Sequence, residues 1–232
     1  MDEASSPLPR RAARSIWADS IGVAAAAGIY GLSFGVLATT AGLSVVQASF
    51  LSLFMFTGAS QFALLGVITS GGSPFAAAAT AGVLGLRNGF YALRLSPLLA
   101  CSWPRRLMAA HLTIDESTAM AVAQEHPEDS RLAFWSTGGS IFVLWNVSTL
   151  IGAAGAHAFS DPAVFGLDAA APAAFLAVLV PRLRTRWARA LALVAATVAL
   201  TSQTFLPAGL PILLAGAVTA ALATTAKTSE DP

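Results

Sequence analysis

Long apolar runs alternate with short polar connections along nearly the whole chain. The runs that we interpret as helical segments are Ile16–Ala38, Val45–Thr69, Phe75–Ala100, Phe134–Phe159, Val164–Val180, Ala188–Thr204 and Leu210–Thr225, with a weaker run at Leu107–Val122. A helix of roughly 20 apolar residues crosses the hydrocarbon core of a bilayer. The pattern therefore predicts an all-α, polytopic integral membrane helical bundle of about seven transmembrane segments, some of them broken or re-entrant.

The connections between the runs are short and contain Gly and Pro, as in "SGGSP" and "LPAGLP", which are typical of turns. The longest polar stretch within the bundle is "QEHPEDSR" at 124–131. We expect a cytoplasmic N-terminal tail over residues 1–14, one transmembrane domain over 15–226 and a C-terminal tail over 227–232.

Composition supports the membrane interpretation. Of the 232 residues, 56% are hydrophobic and only 11% are charged, whereas soluble domains carry about 25% charged residues. The net charge of +1 gives no electrostatic reason to expect a nucleic-acid partner. The single cysteine, Cys101, excludes an intrachain disulfide.

Basic residues near the segment ends predict the orientation. Arg10, Arg11 and Arg14 precede the first run, and "PRLRTRWAR" at 181–189 is the most basic loop. We expect both on the cytoplasmic side, with both termini. The first half then crosses four times if Leu107–Val122 spans, or twice if one segment is re-entrant. The first run also fits a signal peptide, but its length favours an uncleaved first helix.

Small residues at helix-packing spacing predict close contacts between helices. Gly31 and Gly35 form one GxxxG pair, and Gly85 and Gly89 form another. In lipid, such residues let two backbones approach closely.

Two arginines interrupt the third apolar run. A charge at the centre of a transmembrane helix costs about 2.5–3.5 kcal/mol, so each needs a partner, water or access to the interface. Arg87, Tyr91 and Arg94 are spaced i, i+4, i+7 and share one helix face. Arg94 lies near Pro97, where its long side chain can also reach the interface. Arg87 lies deeper, and we expect it to face the bundle interior.

The motif "FTGASQF" places Thr57, Gly58, Ser60 and Gln61 inside the second run. One interpretation is a broken helix whose freed amides and carbonyls line a binding site, as in transporters. The other is an intact helix in which the hydroxyl groups bond to their own backbone.

The motif "HLTIDESTAM" contains Asp115 and Glu116, the acidic residues of the weak run. If this run spans, Asp115 is a natural partner for Arg87 or a protonatable relay. If it lies at the interface, both acids are solvated. His111, four residues before Asp115, is either a surface histidine or a residue that titrates together with Asp115.

Trp145 and Asn146 lie within the run that follows the polar loop. We expect Asn146 to bond across helices and Trp145 to wall a pocket or to pack in the core. The histidines have no metal-ligand spacing, and no nucleophile motif accompanies the acids. We expect no cofactor, no metal and no enzymatic activity.

Five motifs in order resemble the AzlC family of branched-chain amino acid permeases: "FGVLATTAGLS", "FTGASQF", "GLRNGFYALRLSPLL", "TIDES" and "FGLDAAAPAAFLAVLVP". The resemblance implies a multi-pass protein of the bacterial or archaeal inner membrane. It also implies a small AzlD-type partner subunit and export of branched-chain and related amino acids, driven by the proton gradient.

An amino acid substrate needs cations or amides for its carboxylate, an anion or carbonyls for its ammonium, and an apolar pocket. We predict that these groups are supplied by two sets of residues. The substrate-binding residues are Thr57, Gly58, Ser60, Gln61, Arg87, Asn88, Tyr91 and Trp145, and the coupling residues are Asp115 and Glu116. Phe56, Phe62 and Trp145 would line the apolar pocket for the side chain of the substrate.

The chain departs from the family pattern at three places. Asn88 stands where the family tends to have His, Arg94 replaces a serine-like position, and Ile114 interrupts the Thr-Asp-Glu run. The loss of a titratable group at 88 argues against a proton role there. The alternatives are a passive channel, an intramembrane enzyme using Asp115, Glu116 or His111, and a structural subunit that docks a partner.

Overall fold

Nine helices make up the regular structure in the part of the chain that the computed structural model describes, namely residues 10–156, 176, 179–180 and 183–228. Their bounds are α1 (Arg10–Thr40), α2 (Val45–Phe54), α3 (Ala59–Thr69), α4 (Pro74–Leu99), α5 (Trp103–Leu112), α6 (Asp115–Val122), α7 (Pro127–Gly155), α8 (Arg186–Ser202) and α9 (Leu210–Thr228). These residues contain no strand, so the all-α prediction is confirmed there. Nearly all of the predicted segment Val164–Val180 lies outside the described residues.

Among the described residues, two helices are long and apolar enough to cross a membrane, over Ala13–Thr40 and Pro127–Gly155. At a rise of 1.5 Å per residue, 28 residues extend about 42 Å, which exceeds the hydrocarbon thickness of about 30 Å. The larger number of seven crossings and the single domain over 15–226 stay predictions.

Two of the predicted runs are interrupted in the structure. Val45–Thr69 is not one helix, because α2 and α3 are separated by residues 55–58. Leu107–Val122 is not one helix either, because α5 and α6 are separated by Thr113 and Ile114. The four helices have 10, 11, 10 and 8 residues. Each therefore extends only about half the thickness of a bilayer.

The first compact unit combines Met1–Gly58 with Gly85–Ser160, and its centre is the contact between α1 and α7. A Cβ atom added at Gly31 would lie 2.9 Å from the carbonyl oxygen of Trp145. Added at Gly35, it would meet the Thr149 carbonyl, and at Gly152 the Leu32 carbonyl. The predicted close packing at Gly31 and Gly35 is thus confirmed, since no side chain fits between these backbones.

Buried hydroxyl groups connect the same two helices. The Ser20 hydroxyl lies 2.8 Å from the Ser136 hydroxyl and 2.9 Å from the Thr137 hydroxyl. One turn from the glycines, Thr149 donates to the Gly31 carbonyl at 3.2 Å and accepts from Ser52 on α2 at 3.2 Å. These bonds satisfy polar groups that would otherwise be costly in an apolar interior.

The second compact unit combines Ala59–Leu84 with Asp161–Pro232 and contains α3, the first part of α4, α8 and α9. Gly209 begins the turn into α9 with φ +94°, and the Thr80 hydroxyl donates to its carbonyl at 3.5 Å. The predicted small-residue contact at Gly89 is not formed within the described residues, because nothing lies within 4 Å of a Cβ added there.

Candidate functional site

The first helix interruption, at residues 55–58, ends at a glycine. Gly58 has φ +59°, in the left-handed region that glycine adopts without the steric cost of a Cβ atom. A Cβ added there would lie 3.7 Å from the Trp145 ring. The helix break predicted as one interpretation of "FTGASQF" is therefore present, and it leaves the carbonyl of Thr57 outside any helix. The role of the freed backbone groups in binding stays a prediction.

The second interruption contains neither glycine nor proline. Instead, the Ser117 hydroxyl accepts from the Ile114 N–H at 3.1 Å and donates to the Leu112 carbonyl at 2.7 Å. The Thr113 hydroxyl bonds to the Ala109 carbonyl at 2.7 Å. Side chains thus satisfy backbone groups on both sides of the break, which starts α6 at Asp115.

Arg87 joins the two interruptions. Its Nη2 atom lies 2.7 Å from Asp115 Oδ2, at the start of α6, and donates to the Thr57 carbonyl at 3.3 Å. The Arg87 and Asp115 side chains are 23% and 19% exposed, so both charges are largely sheltered. The ion pair between Arg87 and Asp115, one of the alternatives predicted for Asp115, is therefore present. It forms although Leu107–Val122 is not one spanning helix.

Tyr91 completes the polar cluster. It lies one turn after Arg87 on α4, and its hydroxyl donates to Asp115 Oδ1 at 2.6 Å. Each carboxylate oxygen of Asp115 therefore has a donor from α4. Such bonds compensate for the desolvation of a sheltered charge pair, which would otherwise destabilise the fold.

Some polar atoms next to this cluster are buried without a hydrogen-bond partner among the described residues. They are Arg87 Nε, Asn88 Oδ1 and the Thr57 hydroxyl. Buried polar groups in proteins are usually paired. This set offers one charged donor, one hydroxyl and one amide oxygen to a polar solute.

Aromatic side chains surround the break at 55–58. The ring centroid of Phe56 lies 6.0 Å from that of His111 and 5.2 Å from that of Phe142. Trp145 is buried and stacks on Phe34 at 6.4 Å. His111 ends up against aromatic rings rather than beside Asp115 on one helix, because α5 ends at Leu112.

The other predicted site residues lie in α3, α6 and α4. Ser60 and Gln61 begin α3 in the second compact unit, where both are buried along with Phe62. Glu116 lies next to Asp115 in the first turn of α6 and is partly buried. Arg94 shares the α4 face predicted from its spacing but is exposed and has no ion pair within the described residues.

Asn146 was predicted to bond across helices, and this was wrong. Its amide donates to the Phe142 carbonyl of the same helix at 2.7 Å, so it follows the local pattern of a helical polar side chain. The described residues contain no group of three or more side chains placed to hold a metal ion.

Comparison with known proteins places the chain among membrane proteins. The family model "AzlC protein" matches residues 22–159, more than half of the chain and all of the Arg87–Asp115 cluster. A relative from Archaeoglobus fulgidus, described as an uncharacterized membrane protein, is 35% identical over 160 residues, covering 68% of this chain and 70% of the relative. No solved structure matches the chain. Both comparisons agree with the motifs and with the apolar helices, and the chain belongs to the AzlC family of membrane proteins.

Proposed function

We propose that this protein is the large subunit of a secondary transporter that exports branched-chain and related apolar amino acids. Family membership supports the transporter class. The observation that carries the proposal is the sheltered guanidinium of Arg87 at the meeting point of two interrupted helical segments. Charged residues inside membrane helices commonly mark the pathways of substrates and ions.

A free amino acid presents a carboxylate, an ammonium and a side chain within a few ångströms. Arg87 is the group in the cluster that suits the carboxylate, because Arg binds carboxylates through paired N–H groups. Asn88 Oδ1 and the Thr57 hydroxyl, both unpartnered within the described residues, add polar contacts. Phe56 and Trp145 supply apolar surface for a leucine-, isoleucine- or valine-like side chain.

The contacts of Asp115 change the role that the sequence suggested for it. Since both of its oxygens already have donors from Arg87 and Tyr91, we assign it the role of counter-ion to Arg87. The ammonium group of the substrate is then bound by Glu116 or by backbone carbonyls at the helix breaks.

A substrate carboxylate competes with Asp115 for the same guanidinium. Export driven by the proton gradient, in which proton and substrate move in opposite directions, is carried into the proposal from the family resemblance.

The remaining features of the proposal come from the family. They are a location in the cytoplasmic (inner) membrane with both termini in the cytoplasm, and a complex with a small AzlD-type membrane subunit. Ser60, Gln61 and Asn88 stay proposed substrate-binding residues, and Glu116 a proposed coupling residue.

The test measures intracellular leucine, isoleucine, valine and methionine after cells are fed dipeptides containing them. Cells expressing the protein with its small partner should accumulate less free amino acid than cells lacking either chain. An uncoupler should abolish the difference, because uphill export needs the proton gradient. A difference that persists with an uncoupler would favour a passive channel.

Arg87→Lys and Arg87→Ala test the site itself. Both should abolish export while the protein remains in the membrane at normal amounts, because neither side chain can pair with a carboxylate and also hold Thr57 and Asp115. Arg94→Gln is the matched control, since it removes an exposed arginine from the same helix. Normal export by either Arg87 variant would remove Arg87 from the site.

The enzyme and structural-subunit alternatives predict different results. An intramembrane enzyme would lose a chemical conversion, and no transport, when Asp115 and Glu116 are both replaced. A structural subunit whose polar residues dock a partner would bind that partner less well in the Arg87 variants, and transport assays on the single chain and on the pair separate it from a transporter.

A further inference from the structure

A cleft in the first unit, away from Arg87, lies between the end of α4 and α5. Its volume is about 170 Å³, and five of its nine lining residues are Leu or Ala, including Leu95, Leu99 and Ala110. Three of the lining residues, Leu95, Leu99 and Ala109, belong to a buried apolar cluster that also includes Phe134 of α7. An apolar cavity of about 150 Å³ accommodates a benzene molecule, so this cleft has room for part of a hydrocarbon chain.

The cleft is bordered by the turn that ends α4. This turn is Leu98–Cys101, in which Ala100 adopts φ +44°. Two arginines are held against it. Arg106, which lines the cleft, donates from Nε to the Cys101 carbonyl at 3.0 Å, and Arg131 donates from Nε to the Leu98 carbonyl at 3.0 Å. Each bond uses Nε and leaves the terminal nitrogens of the guanidinium available.

Positive charge collects at this edge of the first unit. Arg105, Arg106 and Arg131 are exposed, and none of them forms an ion pair with a described residue. Trp103 beside them is 71% exposed. Exposed Trp next to Arg at the end of a long apolar helix is typical of the membrane–water interface.

We propose that this edge of α4 and α5 is a binding site for an anionic phospholipid. The phosphate lies on the guanidinium groups of Arg106, Arg105 and Arg131, and the upper part of one acyl chain enters the cleft lined by Leu95, Leu99 and Ala110. Basic groups at the membrane surface attract anionic headgroups, and the apolar cleft beside them adds the contact that a free phosphate lacks.

The test measures lipid binding to the full-length purified protein in detergent by native mass spectrometry. Phosphatidylglycerol should form a one-to-one adduct at about tenfold lower concentration than phosphatidylcholine of the same chains. Arg106→Gln should weaken that adduct about tenfold, the usual effect of losing one hydrogen bond to a charged group. Equal binding of the two lipids, or unchanged binding by Arg106→Gln, would overturn the proposal.

Arg189→Gln is the matched control. Arg189 is also exposed and also donates to a loop carbonyl, that of Arg184 at 3.4 Å, but it does not line the cleft. It should leave the adduct unchanged. Ala110→Leu keeps the charges and fills the cleft, and it should weaken phosphatidylglycerol binding severalfold. If it has no effect, or if millimolar inorganic phosphate displaces the lipid, the site is a phosphate site and the proposal fails.

The single cysteine gives a second readout that does not depend on mass spectrometry. Cys101 lines the cleft and is partly buried, so a bound acyl chain should shield its thiol. Alkylation by a maleimide should be severalfold slower in phosphatidylglycerol nanodiscs than in phosphatidylcholine nanodiscs. Arg106→Gln should remove this difference and Arg189→Gln should keep it. Equal rates for the unaltered protein in both lipids would contradict the proposal.

Discussion

At the scale of single residues, Arg87 is the group on which the site depends. It carries the ion pair with Asp115 and the bond to the Thr57 carbonyl. Placing a single unpaired charge in an apolar interior costs free energy. The contacts explain how the chain keeps it there, because the charge is neutralised and one further donor is used.

This explanation predicts what happens when the pair is broken. Asp115→Asn leaves the Arg87 charge unpaired and should lower the free energy of unfolding by about 2–3 kcal/mol, below the figure for fully buried pairs because both side chains are partly exposed. The double variant Arg87→Leu, Asp115→Leu should recover most of that loss, since no unpaired charge remains. Thermal unfolding in detergent, followed by the reactivity of Cys101, measures both effects.

The control for this pair is Arg94→Gln, which should melt at the temperature of the unaltered protein. An Asp115→Asn variant that is as stable as the unaltered protein would mean that the ion pair contributes nothing. A double variant less stable than the single one would point to an essential packing role for these side chains.

At this scale the sequence indicated which polar residues matter, but not all of the contacts that they make. Arg87, Tyr91 and Asp115 could be chosen because charged and polar residues are rare in apolar runs. The contact to Thr57 could not be predicted, since it uses a backbone carbonyl that every residue possesses. The roles of these residues in transport stay predictions.

At the scale of elements, the contact between α1 and α7 sets how closely two long helices approach. Gly31, Gly35 and Gly152 remove side chains from that contact. Two of them were predicted from the GxxxG spacing, whereas Gly89 shows that the same spacing also occurs on an open face.

Gly152→Ala should destabilise the protein strongly, by about 1–3 kcal/mol or more, because the new Cβ would collide with the Leu32 backbone. Gly22→Ala, in α1, is the matched substitution. Nothing lies within 4 Å of a Cβ at Gly22, so this variant should be unchanged or up to about 1 kcal/mol more stable. Melting temperatures of the two purified variants decide the matter, and equal values would contradict the packing interpretation.

The two breaks illustrate what a sequence pattern can and cannot reveal about elements. The break at Gly58 was one of two interpretations of the sequence, because glycine weakens a helix. The break before Asp115 has no such residue, and it forms because Ser117 bonds to backbone groups on both sides. A serine side chain interrupts a helix in this way only where the backbone geometry allows both bonds, and hydropathy does not report that geometry. The hydropathy pattern therefore shows Leu107–Val122 as one weak run.

At the scale of the whole molecule, the apolar runs predicted most helix positions, and the all-α class is confirmed over the described residues. The number of crossings does not follow from these runs, because helices of 8–11 residues are too short to span alone. The predicted orientation depends on basic residues and is open to direct measurement.

We expect the loop at 124–131 and both termini to face the cytoplasm. In a Cys101→Ser background, Glu125→Cys should react with a membrane-impermeant maleimide only after cells are opened, since Glu125 is exposed on the protein surface. A fluorescent protein fused after residue 232 should fold and fluoresce. Labelling of Glu125→Cys in intact cells would reverse the predicted orientation of the first half of the chain.

The position of Arg87 between Thr57 and Asp115 has a consequence for how such a protein would move. One side chain contacts both the segment after α2 and the start of α6. A solute that binds the guanidinium in place of these partners would break both contacts at once. In the transport function proposed above, solute binding and the release of both segments would occur in the same step.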